Sequence, residues 1–172
     1  LKNEEDADYI QEIQSVPVAL RINKYDELKI VYGDETAFFF DMADHFHSIG
    51  KTEKAVSILL NAAEISNGNF AVLKAMGHYF EKWKMWDKAI EIFTDLAQMT
   101  QGIQYYRDLA WCFYQAGKYQ EAVNTFYSAI LLDAQDPAFK ATILSEMNAV
   151  IVGHKEQLDL KFIPSNLIKP LP

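Results

Sequence analysis

With 172 residues, half of them apolar, the chain can bury a core and fits the size of one domain. Its net charge of -8 opposes a phosphate backbone and disfavours nucleic acid as a partner. The greasiest stretches, 37–40 and 58–60, are too short to span a membrane, and a lone cysteine, Cys112, excludes an internal disulfide and a multi-cysteine zinc site.

Few Gly and Pro beside plentiful Ala, Leu, Ile, Phe and Tyr lean the class towards all-α. The chain starts at Leu1 with no basic segment leading into an apolar one, as expected of a processed or excised fragment. Residues 1–35 carry nine acids against four bases, most of the net acidity. Two helices are predicted there, over 4–14 and 17–31, separated near Ser15 and closed by Tyr32, Gly33 and Asp34. They form an N-terminal helical hairpin that lays Tyr9, Ile10, Ile13, Leu20, Tyr25, Leu28 and Val31 on the next unit.

From residue 36 the chain matches itself at about 34 residues, the length of a helical-hairpin repeat. Glu53-Lys54-Ala55, Asp87-Lys88-Ala89 and Gln120-Glu121-Ala122 align, with the alanines 34 and then 33 residues apart. Before each alanine lies a helix with large apolar residues at i, i+3 and i+7: Phe39, Met42, Phe46; Leu73, Met76, Phe80; Tyr106, Leu109, Phe113. After it runs a second stripe: Ala55, Leu59, Ala62; Ala89, Phe93, Leu96; Ala122, Phe126, Ala129. Gly50 and Gly117 mark the turns between paired helices, with Lys84 at the matching place in the middle unit. The small residues Ala43, Gly77 and Ala110 are expected to face small residues of the partner helix and let the backbones approach.

Three repeats therefore cover 36–69, 70–102 and 103–135. Asp136-Pro137 starts a capping helix over 136–155, with apolar Phe139, Ile143, Met147, Val150 and Ile151. Such a helix hides the last stacked face of an array. The tail 156–172, with three prolines, reads as an extended segment packing back or as a linker, all within one structural domain.

These residues resemble the tetratricopeptide repeat, with Leu109, Ala110, Phe113, Gly117, Tyr119, Ala122, Phe126 and Ala129 giving the fullest match. The departures are Phe39, Leu73 and Tyr106 where the family often has Trp, Lys84 for the turn glycine, and no proline closing the first two units. The resemblance implies stacked antiparallel hairpins in a right-handed superhelix, with the first helix of each unit lining a concave groove. It places Phe40, Asp44 and His47 beside Lys74, His78 and Glu81, then Arg107, Trp111 and Tyr114, then Lys140 and Leu144. Lys74, Arg107 and Lys140 are expected to form a basic row that pairs with carboxylates while the rings of Trp111 and Tyr114 stack on an extended partner. The alternative is that these bases are solvated or satisfied by neighbouring acids. Repeats that grip chaperone tails use a base and an amide where this chain has Phe40 and Asp44, so a chaperone co-factor role is not expected.

The layout also resembles the helical region of bacterial envelope proteins that lies between a von Willebrand-like region and a C-terminal β-rich domain. Residues 145–151 and 167–172 carry that likeness, which implies a periplasmic or secreted location, with the cytoplasm as the alternative.

His45 and His47, at i and i+2, point to different sides of a helix with no third ligand, so no metal site is expected. Asp41 and His45 share a face and read as helix surface. No nucleophile elbow or phosphate-cradling loop exists, and Cys112, between Trp111 and Phe113, reads as a small buried hydrophobe. The sequence points to a non-catalytic scaffold for a protein or peptide, without cofactor. The alternative is a spacer between flanking domains of a longer envelope protein, its groove filled by residues 158–168.

Overall fold

A computed structural model describes residues 8–132 and 136–168. The start of the first predicted helix at 4–7, the end of the third repeat at 133–135 and the last four residues of the 167–172 stretch lie outside them. Among the described residues the regular structure is helical throughout: α1 (Asp8–Ser15), α2 (Arg21–Tyr32), α3 (Thr36–Ser48), α4 (Thr52–Ile65), α5 (Phe70–Lys82), α6 (Trp86–Thr100), α7 (Ile103–Gln115), α8 (Tyr119–Leu131) and α9 (Pro137–His154). The helix expected over 17–31 is divided, because residues Val18–Leu20 form a 3₁₀ turn behind Pro17 before α2 begins. Pro17 lacks the amide hydrogen that would extend α2 backwards.

The chain forms two compact units, Leu1–Val72 and Leu73–Pro172, divided within the first turn of α5. The first unit is built on rings. Tyr25 of α2 stacks on Phe38 at 5.7 Å and meets Phe46 edge-on at 5.8 Å, while Tyr9 of α1 meets Phe38 edge-on at 5.2 Å. Phe39, Met42, Phe46, Ala55, Leu59 and Ala62 are all fully buried, as the repeat stripe requires.

In the second unit α7 packs on α6 and α8, and α8 packs on α9. Ala89, Phe93, Leu96, Ala122, Phe126 and Ala129 are buried on the second-helix stripe. On the first-helix stripe Met76, Phe80 and Leu109 are buried, whereas Leu73, Tyr106 and Phe113 are half-buried. Gly77 corrects one expectation. It faces the ring of Phe93 rather than a small residue, and a Cβ there would lie 2.7 Å from Phe93 Cζ.

The three turns close alike. Lys51 N–H donates to Phe46 O at 2.8 Å, Met85 N–H to Phe80 O at 2.8 Å and Lys118 N–H to Phe113 O at 2.9 Å. That closure needs a left-handed residue, supplied by Gly50 (φ +77°), Lys84 (φ +57°) and Gly117 (φ +75°). Sequence reading passed over a fourth such closure, between α4 and α5, where Asn67 and Gly68 both have positive φ.

Asp136 caps α9, its Oδ1 accepting from Ala138 N–H at 2.9 Å and Phe139 N–H at 3.2 Å, with Pro137 at the first helical position. After α9 a 3₁₀ turn, Lys155–Gln157, leads into residues 158–168, which lie against α8 and α9. Ile163 is buried there, and Leu158, Leu160, Leu167 and Ile168 pack around the same apolar cluster as Phe126, Ile143 and Met147. No described helix is long and apolar enough to cross a membrane.

Candidate functional site

Phe40, Asp44 and His47 fall in the first unit, at i, i+4 and i+7 on α3, and each is half-buried. Nearby, Asp41 and His45 hold the N-terminal helices rather than forming bare surface. Tyr9 donates its hydroxyl to Asp41 Oδ2 at 2.6 Å, and Arg21 Nη1 donates to His45 Nε2 at 3.3 Å. Arginine can only donate, so His45 Nε2 carries no proton. Burial, and then the Arg21 charge, hold the His45 pKa below its ordinary value.

The other eight candidates lie in the second unit. On α5, Lys74 is half-buried with its ammonium 5.6 Å from the Tyr105 ring centroid, His78 is exposed and Glu81 is half-buried. Four residues apart, Lys74 and His78 share a face of α5 whose charges act on Asp108 of α7. Glu81 is the hub, its carboxylate accepting from His78 Nδ1–H at 2.6 Å and from the Cys112 thiol at 3.3 Å.

Asp108 is a member of this cluster that sequence reading missed. Its Oδ1 accepts from Gln104 Nε2 at 2.6 Å, while its Oδ2 is buried with no hydrogen-bond partner among the described residues. Burial raises the Asp108 pKa, and the Gln104 bond, His78 and Lys74 oppose that shift. The i, i+4 spacing of Gln104 and Asp108 was the signal available in the sequence.

The basic row is not a row of equivalent bases. Arg107 forms a bidentate ion pair with Glu146 of α9, Nε donating to Oε2 at 2.8 Å and Nη2 to Oε1, and its guanidinium lies 5.9 Å from the Phe139 ring centroid. That pair fixes α7 to α9 and compensates the charge. Lys140 is half-buried on α9. Trp111 meets Phe126 edge-on at 5.8 Å and Tyr114 at 5.3 Å. With Leu144 they pack around the apolar cluster, so their rings belong partly to the core.

Cys112 is fully buried, and burial followed by the Glu81 charge pushes its thiol pKa up. A nucleophilic thiol needs the opposite environment. His78 and Cys112 both donate to Glu81, so the imidazole is not placed to take the thiol proton. Among the described residues no group of three His, Cys, Asp or Glu could hold a metal ion.

No protein-family model matches the chain, and no curated protein does. Solved structures do. The chain is similar to "MamA 41-end from Desulfovibrio magneticus RS-1" with a TM-score of 0.54, 11% identity, and coverage of 87% of this chain and 88% of that one. It is similar to "MamA RS-1 ArsTM double mutant" with a TM-score of 0.53, 11% identity, and coverage of 88% and 87%. The likeness is one of fold, an all-α repeat of the tetratricopeptide type.

Proposed function

We propose that the chain is a non-catalytic protein-interaction scaffold, and that the first-helix surface of α5 and α7 receives an extended peptide. The polar junction of those helices carries the reading. Lys74, His78, Glu81, Gln104 and Asp108 gather where apolar side chains would hold two helices together at less cost. A water-shielded carboxylate oxygen without a donor is costly to keep, which supports a use for it beyond stability. The repeat fold supports a protein or peptide as the partner class.

The pairing of Arg107 moves the electrostatic part of the reading to Lys74 and His78, which line the junction without bridging α7 to α9. A partner carboxylate beside Lys74 and a partner donor towards Asp108 fit that arrangement. The flanking domains of an envelope protein are a partner class drawn from the sequence resemblance alone.

Panning a displayed library of random peptides against the whole chain tests the proposal. Selected peptides are expected to bind about tenfold or more weaker to Lys74→Glu and His78→Ala. Equal binding to both variants, with unchanged helical circular dichroism, rejects this surface. Arg107→Glu and Trp111→Ala are poorer probes, since one breaks the bridge to Glu146 and the other removes a ring packed on Phe126.

A further inference from the structure

Residues 158–168 contain only one isolated 3₁₀ turn, Ser165–Leu167, yet they are held in place. Among the described residues, two side-chain amides of α8 and α9 hold the segment by its backbone. Gln120 of α8 uses both ends of its amide on one residue: Oε1 accepts from Asp159 N–H at 2.7 Å, and Nε2 donates to Asp159 O at 3.1 Å. Asn148 of α9, itself buried, donates from Nδ2 to Leu167 O at 2.9 Å. Between these points Ile163 is buried, and along the segment Leu158, Leu160 and Leu167 rest on the cluster that includes Val123, Ile143 and Val150. Phe162 lies 5.9 Å from the Tyr127 ring and remains 44% exposed.

Backbone-directed amide bonds combined with apolar side chains at intervals are how a groove recognises an extended peptide. The contacts do not depend on the segment being joined to α9. It is joined only through the short, exposed 3₁₀ turn Lys155–Gln157.

We propose that the α8–α9 face is a peptide-binding groove occupied in cis by residues 158–168, and that the same segment of a second copy exchanges into it. The second copy is the occupant the contacts specify, because it brings the Asp159 backbone, Ile163 and the Leu167 carbonyl in the same register. Exchange forms no new bond type, so its equilibrium follows protein concentration. The groove uses residues other than Lys74, His78 and Asp108 and stands independently of the function proposed above.

The test uses the full chain and a fluorescent synthetic peptide of residues 158–168. Asp159→Pro removes the segment's N–H donor to Gln120 without altering the groove, so it loosens the resident segment. The peptide is expected to bind Asp159→Pro saturably, about tenfold tighter than it binds the parent, and about tenfold weaker again when Gln120→Ala is added. The parent is expected to sediment as a concentration-dependent dimer that excess peptide returns to monomer. Absence of saturable binding to folded Asp159→Pro, or equal binding of a scrambled peptide, overturns the groove. Peptide binding by a parent that stays monomeric at every concentration overturns the second copy as occupant.

Discussion

In hairpin α3–α4 the turn holds Gly50 at φ +77° and the helix contact holds Ala43, whereas in α5–α6 the turn holds Lys84 at φ +57° and the contact holds Gly77. Hairpin α7–α8 follows the first arrangement, with Gly117 in the turn and Ala110 in the helix. Glycine has changed places, and the surroundings show why each place accepts the exchange. A Cβ built on Gly50 meets nothing within 4 Å, so the turn imposes only the backbone penalty of a left-handed residue. At Gly77 the obstacle is a ring, since a Cβ there would lie within 3.1 Å of three Phe93 atoms. The turn position therefore tolerates a side chain, and the contact position does not while Phe93 fills it.

The sharpest test of that difference is a double-mutant cycle. Phe93→Ala is expected to cost about 3–5 kcal/mol in urea unfolding, the usual range for a deleted core ring. Gly77→Ala is expected to destabilise the parent by about 1–3 kcal/mol through overpacking. In the Phe93→Ala background the same change should stabilise by about 0.5–1 kcal/mol, because only the helix propensity of alanine over glycine is left. A Gly77→Ala cost that is the same in both backgrounds breaks the comparison.

The turn predictions are smaller. Gly50→Ala and Gly117→Ala are each expected to cost about 1–2 kcal/mol, the left-handed penalty for a residue with a Cβ. Lys84→Gly runs the other way, relieving that penalty while adding chain entropy to the unfolded state. A net gain of about 0.5 kcal/mol in chemical denaturation is expected. A loss there would mean that Lys84 stabilises the turn through its side chain.

The first and last hairpins also contrast in their response to pH, which gives the smallest effects. In α3 burial and Arg21 depress the His45 pKa, so the unfolded chain binds the proton more tightly. Stability should fall as pH drops below about 6.5, the ordinary histidine value, and level off below the folded pKa. His45→Gln should flatten that part of a thermal-melt series. In α7 burial raises the Asp108 pKa, so the folded chain binds the proton more tightly. Its contribution is favourable at acid pH and is lost as pH rises from the ordinary carboxylate range through the raised folded value. Asp108→Asn should therefore gain on the parent between acid and neutral pH. A constant difference across that range would show that the charge of Asp108 is not what the fold opposes.

Much of the framework was legible in the chain. The alanines at 55, 89 and 122 are fully buried, and so are Phe39, Met42, Phe46, Phe93 and Phe126 on the predicted stripes. Asp136 caps α9 as its dipeptide with Pro137 indicated. These features obey local rules, since helical periodicity, a capping side chain and a left-handed turn act over a few residues. The site was less legible. Lys74, His78 and Glu81 were placed on α5, but Asp108 as their neighbour, Glu81 as the acceptor for Cys112 and Arg107 as the partner of Glu146 were not. Each of these involves helices 31–39 residues apart or a burial that composition does not reveal.

The sequence by itself determined nearly all of the helices, the three turns inside the hairpins and the spacing of the repeat, because each follows from interactions within one or two turns of chain. Only the tertiary structure decided that Gly77 meets a phenyl ring, that Arg107 is bound to Glu146, and that residues 158–168 lie under Gln120 and Asn148. Those outcomes depend on the rotation and register of one helix against another. Packing of the whole unit sets that register, and a small shift would exchange one partner for the next.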